Sequence, residues 1–424
     1  MSTYFHSVTL QPNLCCGCTN CLKRCPTEAI RVHEGKAHIL RQRCIDCGEC
    51  IRNCPHHAKK ALSSTMEEIE NYKIKVALPA PALFGQFNNL DNIDIVLSGL
   101  ISIGFDYVFE VSRAAELVSD ATRKLISQGK LNLPVISSAC PAVVRLIKIR
   151  FPELCDNVMP LLAPMEVAAR IARKEVKDKT GASDEDIGVF FITPCAAKYT
   201  EILSPSVGSK SACNGAIAIS HIYPELTSAM EHLKVIEPLS NSGLIGVGWS
   251  ISGGESAAML GEKYLAADGI ENVIRVLEEL EDDHIHDVDF IELNACSGGC
   301  VGGVLNVENP YVAQARIQNL RKYLPISLNH LDEKDLPNML LDGELKFDSS
   351  IFSLDTDINK AIEKMTKMEE ILKGLPGLDC GSCGAPSCRA MAEDIVQNHA
   401  KETDCIFKLK AKIQKVYDQL KDTI

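Results

Sequence analysis

The chain has 424 residues, 46% of them hydrophobic, enough to bury at least one large core and to divide into two or three domains. A formal net charge of -12 argues against nucleic acid as a partner. No uninterrupted apolar run approaches the ~20 residues of a membrane helix, and the start lacks the basic-then-apolar plan of a secretory signal, so a cytoplasmic protein without membrane insertion is expected.

The 19 cysteines sit at close spacings in a long chain, which points to metal ligation rather than disulfides. Cys15, Cys18, Cys21 and Cys25, followed by Pro26, form C-x2-C-x2-C-x3-C-P, and Cys44, Cys47, Cys50 and Cys54, followed by Pro55, repeat it. Two-residue gaps let a tight loop aim three thiolates at one face of a 4Fe-4S cubane, while the fourth crosses to the sister cluster. The expected sets are therefore Cys15, Cys18, Cys21 and Cys54 for one cluster, and Cys44, Cys47, Cys50 and Cys25 for the other. Zinc, with its tetrahedral sites, leaves the doubled Cys-Pro ending unexplained. The segment from about residue 8 to 60 resembles bacterial two-cluster ferredoxins. Cys16 is surplus, and His56 and His57 read as exposed loop residues.

From Ile74 onward, apolar strand-like runs alternate with helical patterns, the habit of an α/β domain. The candidate strands are KIKVALPA, DYVFEV, PVISSA, GVFFITP, AIAIS, GLIGVGW and VDFIELNA. Three of these runs lead into cysteines: PVISSAC into Cys140, GVFFITPC into Cys195 and DFIELNAC into Cys296. Open α/β sheets gather ligands at the carboxyl ends of their strands. Cys300 closes the segment CSGGC, whose glycines permit close approach to a bulky group. Four thiols converging from three strand ends could hold one more cubane. The alternative is that each is a buried cysteine acting as a small apolar residue, the reading given to Cys155 and Cys213.

SSACPAVV, TPCAAKYTE and NACSGGCVGGV resemble the three signature segments of FeFe-hydrogenases, within a similarity that covers about residues 8 to 340. The resemblance implies that Cys140, Cys195, Cys296 and Cys300 hold a cubane, with Cys300 bridging to a diiron unit that carries carbon monoxide, cyanide and a dithiolate. It implies a hydrogen bond from Lys198 to a cyanide, an ammonium being suited to an anionic acceptor. Glu201 fits the pattern after that lysine, and PAPALF matches a loop that brings Ala80, Pro81 and Ala82 to the site.

The chain departs from the family at the proton route. Efficient members carry a first cysteine of an adjacent pair, which passes protons to the dithiolate; here that position is Ala139, and a methyl group cannot exchange a proton. Arg113, in EVSRAAEL, stands where a route glutamate is expected, and a guanidinium that stays charged is a poor relay. Glu116 matches the next glutamate of that route. Thr193 and Asn294 replace methionines before the second and third signature cysteines, a more polar setting that should shift cluster potential or ligand binding. The glycine-rich tail is cut short at CVGGV. GVGWSISGGES, with Trp249, Gly253 and Gly254, resembles another pocket-forming stretch or a plain helix N-terminus.

Cys380, Cys383, Cys388 and Cys405 make C-x2-C-x4-C-x16-C, a third cluster motif in which Gly381, Gly384 and Pro386 shape a wrapping loop. It resembles the small cluster module of corrinoid iron-sulfur proteins and of membrane electron-transport subunits, although two cysteine pairs would also suit zinc. DINKAIEKMTKMEEILKGL has the spacing of a linker helix. Ile406, Leu409, Ile413, Val416 and Leu420 begin a heptad seam that suggests a homodimer or packing on the domain.

The expected fold is thus an α/β hydrogenase H-domain, two-lobed with sheets flanked by helices, between a two-cluster ferredoxin-like domain and a small 4Fe-4S module. The segments are 1–62 for the ferredoxin-like domain, 63–345 for the H-domain, 346–373 for the linker helix, 374–405 for the module and 406–424 for the amphipathic helix. The function expected is a sensory FeFe-hydrogenase that turns hydrogen and protons over slowly and relays electrons through three accessory clusters. Sensory relatives often carry signalling domains beyond such a cluster, so a separate redox or signalling protein is expected to receive the output. A metabolic hydrogenase and an electron-transfer protein holding only cubanes stand as alternatives.

Overall fold

The computed structural model describes residues 5–208, 210–346 and 349–421, so the outermost positions of the first and last sequence segments, 1–4 and 422–424, lie outside it. Contacts divide the chain into two units that are not contiguous in sequence. Met1–Ser7, Ile45–Gly48 and Ala61–Phe347 form the first, and Val8–Cys44, Glu49–Lys60 and Asp348–Ile424 form the second.

The first unit is built on two parallel sheets flanked by helices. In the larger, the strands run in the order Tyr107–Val108, Ile74–Pro79, Ile187–Thr193 and Gly215–Ala218. Val76 lies opposite Val189, and Leu78 opposite Phe191. These four residues enter a hydrophobic core that also takes Val118 and Ala168 from the helices Val111–Ser127 and Pro164–Thr180. Their neighbours Ala77, Phe190 and Ile192 enter a second core with Leu97 and Leu226, from the helices Ile93–Ser102 and Ile219–Glu231. A parallel strand covered on both faces has no polar side, which accounts for the unbroken apolar run IGVFFIT.

The smaller sheet has the order Tyr264–Asp268, Phe290–Asn294 and Val135–Ile136. Its first strand was not among the sequence candidates, because Tyr264 is exposed and none of its five residues is fully buried. GLIGVGW, expected as a strand, is instead the short helix Leu244–Gly248. A five-residue apolar run is ambiguous between the two states. Packing decides here: a Cβ on Gly246 would fall 2.1 Å from the Ser112 carbonyl oxygen, so the turn lies directly on the helix Val111–Ser127.

In the ferredoxin-like repeat, equivalent positions of the two halves share left-handed backbone, Gly17 (φ 71°) with Asp46 (φ 53°) and Glu28 (φ 51°) with His57 (φ 49°). Within the second unit, Ile30–His33 pairs antiparallel with Lys36–Ile39. The expected linker helix, Ile358–Gly374, packs through Met368 into a core with Leu375, Met391 and Val396, the last two on the helix Cys388–Val396.

This C-terminal module is joined to the ferredoxin-like segment of the same unit. Arg31 Nε donates to Asp394 Oδ2 at 2.6 Å with both side chains buried, and Arg43 forms a two-pronged pair with Glu393, Nη1 to Oε2 at 3.0 Å. Val32 N donates to Gly384 O at 2.8 Å. Gly384 has φ +87°, and a Cβ there would meet the Val32 carbonyl oxygen at 1.9 Å, so only glycine fits. The terminal helix Ile406–Lys421 exposes Ile406, Leu409, Ile413, Val416 and Leu420. Among the described residues no helix is long and apolar enough to cross a membrane.

Candidate functional site

Three strand ends of the first unit deliver cysteines to one cavity. Cys195 follows the strand Ile187–Thr193 and precedes the helix Ala196–Leu203. Cys140 follows the strand Val135–Ile136 and precedes the helix Pro141–Arg150. Cys296 lies two residues beyond Phe290–Asn294, and Cys300 opens a single 3-10 turn after Gly298 and Gly299, both at positive φ. All four line a cavity of about 850 Å³, together with Ala80, Pro81, Ala82, Ala139, Lys198 and Trp249. Lys198 Nζ donates to the Ala139 carbonyl oxygen at 2.9 Å.

The thiols are close enough to feel one another. Burial pushes Cys195 up to about 12, with the sulfurs of Cys296 and Cys140 adding to it. Burial and then Cys195, Cys140 and Cys296 hold Cys300 well above its usual range. Cys195 and Cys300 resist ionisation as free thiols, whereas a metal centre deprotonates its thiol ligands outright. The donor set therefore suits an iron-sulfur cubane. Cys213 differs: it is a lone cysteine inside the first core, where burial pushes its thiol up.

Two glutamates that sequence reasoning did not single out also line this cavity. Glu255 and Glu292 are 6% and 1% exposed. Glu292 accepts from Gly253 N at 3.0 Å, Ser256 N at 2.8 Å and Asn294 Nδ2 at 2.7 Å. Glu255 has the Ser137 hydroxyl 2.8 and 2.7 Å from its two carboxyl oxygens, and Ser137 Oγ in turn accepts from Ala139 N at 3.1 Å. Burial raises both carboxyls, and for Glu255 the Glu292 charge raises it further. Three donors favour the ionised form at Glu292, which leaves Glu255 as the member that keeps a proton. Facing Glu255, Lys198 is the cation that pulls the other way.

The other route residues lie elsewhere. Glu116 is buried and accepts from Gly243 N, Leu328 N and Asn329 N, so it fastens two loops. Arg113 stacks on Phe109, 4.1 Å from the ring centroid, and pairs with Glu175 at 3.2 Å. Neither borders the cavity. Glu201 borders a neighbouring cavity of about 700 Å³, accepting from Arg145 Nη2 at 2.7 Å and from Ser206 N at 2.7 Å. Thr193 Oγ1 accepts from Cys195 N at 3.0 Å and so fixes the loop at that thiol.

In the second unit, Cys15, Cys18, Cys21 and Cys54 line one cavity of about 340 Å³, with Lys59 on its wall. Burial raises the Cys21 thiol and Lys59 opposes the shift. Cys16, Cys18 and His56, all exposed, bring their ligand atoms within 4.8 Å of one another. Cys380, Cys383, Cys388 and Cys405 line another cavity, of about 310 Å³. Hydrogen bonds from Ser382 lower the Cys380 thiol, while burial raises that of Cys383.

Comparison with known proteins agrees with this arrangement. A family model described as "Iron only hydrogenase large subunit, C-terminal domain" matches residues 73–223 and 250–304. A "4Fe-4S dicluster domain" model matches residues 7–55, and an Fe-S cluster model matches residues 375–407. Among curated proteins, the periplasmic Fe hydrogenase large subunit of Nitratidesulfovibrio vulgaris is 26% identical over 223 residues, covering 48% of this chain and 53% of that protein. The NADP-reducing hydrogenase subunit HndD of Solidesulfovibrio fructosivorans is 23% identical over 207 residues, covering 47% of this chain and 32% of the relative. The chain thus spans about half or less of the length of these relatives. A solved FeFe-hydrogenase structure, from work on oxygen inactivation of the H cluster, shares the fold with a TM-score of 0.50 at 15% identity, over 65% of this chain and 94% of that one. With its iron-sulfur motifs, its sheets flanked by helices and these matches, the chain belongs to the FeFe-hydrogenase family.

Proposed function

We propose that this chain is a sensory FeFe-hydrogenase, which binds an H-cluster, interconverts hydrogen with protons and electrons slowly, and relays electrons through three accessory 4Fe-4S clusters. The observation that carries the reading is one cavity that collects Cys140, Cys195, Cys296, Cys300 and Lys198 while presenting only the methyl group of Ala139 where fast relatives have a thiol. Cys140, Cys195, Cys296 and Cys300 would hold the cubane, with Cys300 shared with the diiron unit. When bound, that unit supplies the metal centre at which hydrogen is split or formed.

The chain's own residues then have separate tasks. Lys198 presents a positive charge to the anionic cyanide ligands, and Ala80, Pro81 and Ala82 wall the cavity. Glu255 holds a proton at its carboxyl oxygens beside the cavity, next to the Ser137 hydroxyl. That donor partly replaces the thiol missing at Ala139, which fits slow rather than absent turnover. Cys15, Cys18, Cys21 and Cys54, then Cys44, Cys47, Cys50 and Cys25, and finally Cys380, Cys383, Cys388 and Cys405 hold the accessory clusters.

The reading places the protein in the cytoplasm, with a redox or signalling protein receiving its output. Five exposed apolar residues along the helix Ile406–Lys421 support a homodimer through that helix.

The test is to load purified apoprotein with a synthetic diiron cofactor and record infrared spectra under hydrogen. Sharp carbonyl and cyanide bands that respond to hydrogen, with a low assayed rate, are expected. A high rate would make the protein a metabolic hydrogenase, and absence of the bands would leave an electron-transfer protein with cubanes alone.

A further inference from the structure

The internal duplication contains its own control. Ile30 stands five residues after Cys25 and Lys59 five residues after Cys54, so the two occupy equivalent positions in the halves of the repeat. Both are 2% exposed. Each follows an alanine whose amide donates to the cysteine sulfur, Ala29 N to Cys25 Sγ at 3.2 Å and Ala58 N to Cys54 Sγ at 3.3 Å. The local backbone is the same and the side chain differs, aliphatic in one half and cationic in the other.

Lys59 borders the cavity shared by Cys15, Cys18, Cys21 and Cys54, and its Nζ has no hydrogen-bond partner among the described residues. An ammonium enclosed without an anion is strongly disfavoured, so this side chain calls for negative charge in the cavity. The nearby Lys36 does not supply the same charge, because its Nζ is engaged by the carbonyl oxygens of Pro12 and Cys15, at 2.8 and 2.6 Å. We propose that Lys59 is the built-in counter-cation of the cluster held by Cys15, Cys18, Cys21 and Cys54, and makes it the more easily reduced of the ferredoxin-like pair.

This inference rests on the reading that these four thiols hold a cubane. A cubane on four thiolates is already anionic, and gaining one electron, without bond change or proton uptake, makes it more so. A fixed positive charge close by stabilises the reduced form more than the oxidised form and raises the potential. The equivalent Ile30 offers no such charge at the sister position. Electrons entering the pair would therefore collect on the Lys59 side.

The experiment uses full-length protein reconstituted with iron and sulfide, reduced stepwise by dithionite and followed by electron paramagnetic resonance. Cys18→Ala identifies the signal of the first cluster by removing it. Lys59→Ile, which copies the chain's own solution at Ile30, is expected to lower the midpoint potential of that cluster alone at unchanged iron content. Lys59→Arg is expected to keep the wild-type order of reduction. An unchanged midpoint in Lys59→Ile overturns the proposal. Should Lys59→Ile lose iron from this set, retention of iron by Lys59→Arg supports the counter-cation, and loss in both variants overturns it in favour of a packing role. A wild-type spectrum with no signal that depends on Cys18 would instead refute the cluster reading on which the inference stands.

Discussion

Glu110 offers a prediction whose size follows from the structure. It precedes the helix Val111–Ser127, is 2% exposed, and accepts from Asn241 N at 2.6 Å through Oε2, while Oε1 has no hydrogen-bond partner among the described residues. Burial pushes its carboxyl from 4.5 up to about 7, against smaller opposing contributions from Asn241, Ser242 and Arg113. The folded protein therefore binds a proton at pH 5–7 that the unfolded chain has released. Its stability contribution is fully present below the unfolded value and is lost as pH rises through about 7. Moving the carboxyl from 4.5 to about 7 corresponds to about 3 kcal/mol. Glu110→Gln keeps the shape and removes the titration. Urea unfolding of apoprotein, followed by fluorescence of Trp249, the single tryptophan, reports this unit. The variant should gain up to about 3 kcal/mol on wild type between pH 5 and 8. Parallel stability curves across that range would refute the assignment.

Three other outcomes are expected. Ala139→Cys in cofactor-loaded protein should raise turnover by about 10²-fold or more, the range of general acid-base catalysis, and an unchanged rate would mean proton delivery at that position is not limiting. Glu255→Gln should slow proton reduction and remove an alkaline limb from the wild-type pH profile, since only the protonated carboxyl donates and its pKa is raised; a profile that keeps the limb would assign it to another group. Asp394→Ala should remove the 2.6 Å carboxylate from the buried Arg31 guanidinium and leave only Glu393, 3.9 Å from Nη2, as its counter-charge, at a cost of up to about 3 kcal/mol. Hydrogen exchange should then rise in residues 30–33 and 384–394 together, and unchanged protection would show that the pair does not hold those segments.

What could be read in the sequence depended on whether the signal was local. The cysteine motifs at 15–25, 44–54 and 380–405 are short-range patterns, and backbone rules fix their loops: Gly17 and Asp46 adopt the same left-handed conformation because each half wraps its cysteines in the same way. The strand ends ahead of Cys140, Cys195 and Cys296 were legible because apolar runs buried on both sheet faces stop two to four residues before those cysteines. Glu255 and Glu292 had no such mark. A lone glutamate in sequence is normally solvated, and only the contact of Ser137 with Glu255 and the three donors on Glu292 make them a buried pair. The joining of Arg31 to Asp394 spans 363 positions and leaves no periodicity to detect. Lys59 falls between these cases. In KKAL it reads as one of two surface lysines, yet superposing the halves of the repeat sets it on Ile30, a position that burial keeps apolar in one half. A charge at such a position is informative without any coordinates, because an enclosed ammonium is retained only where something anionic meets it.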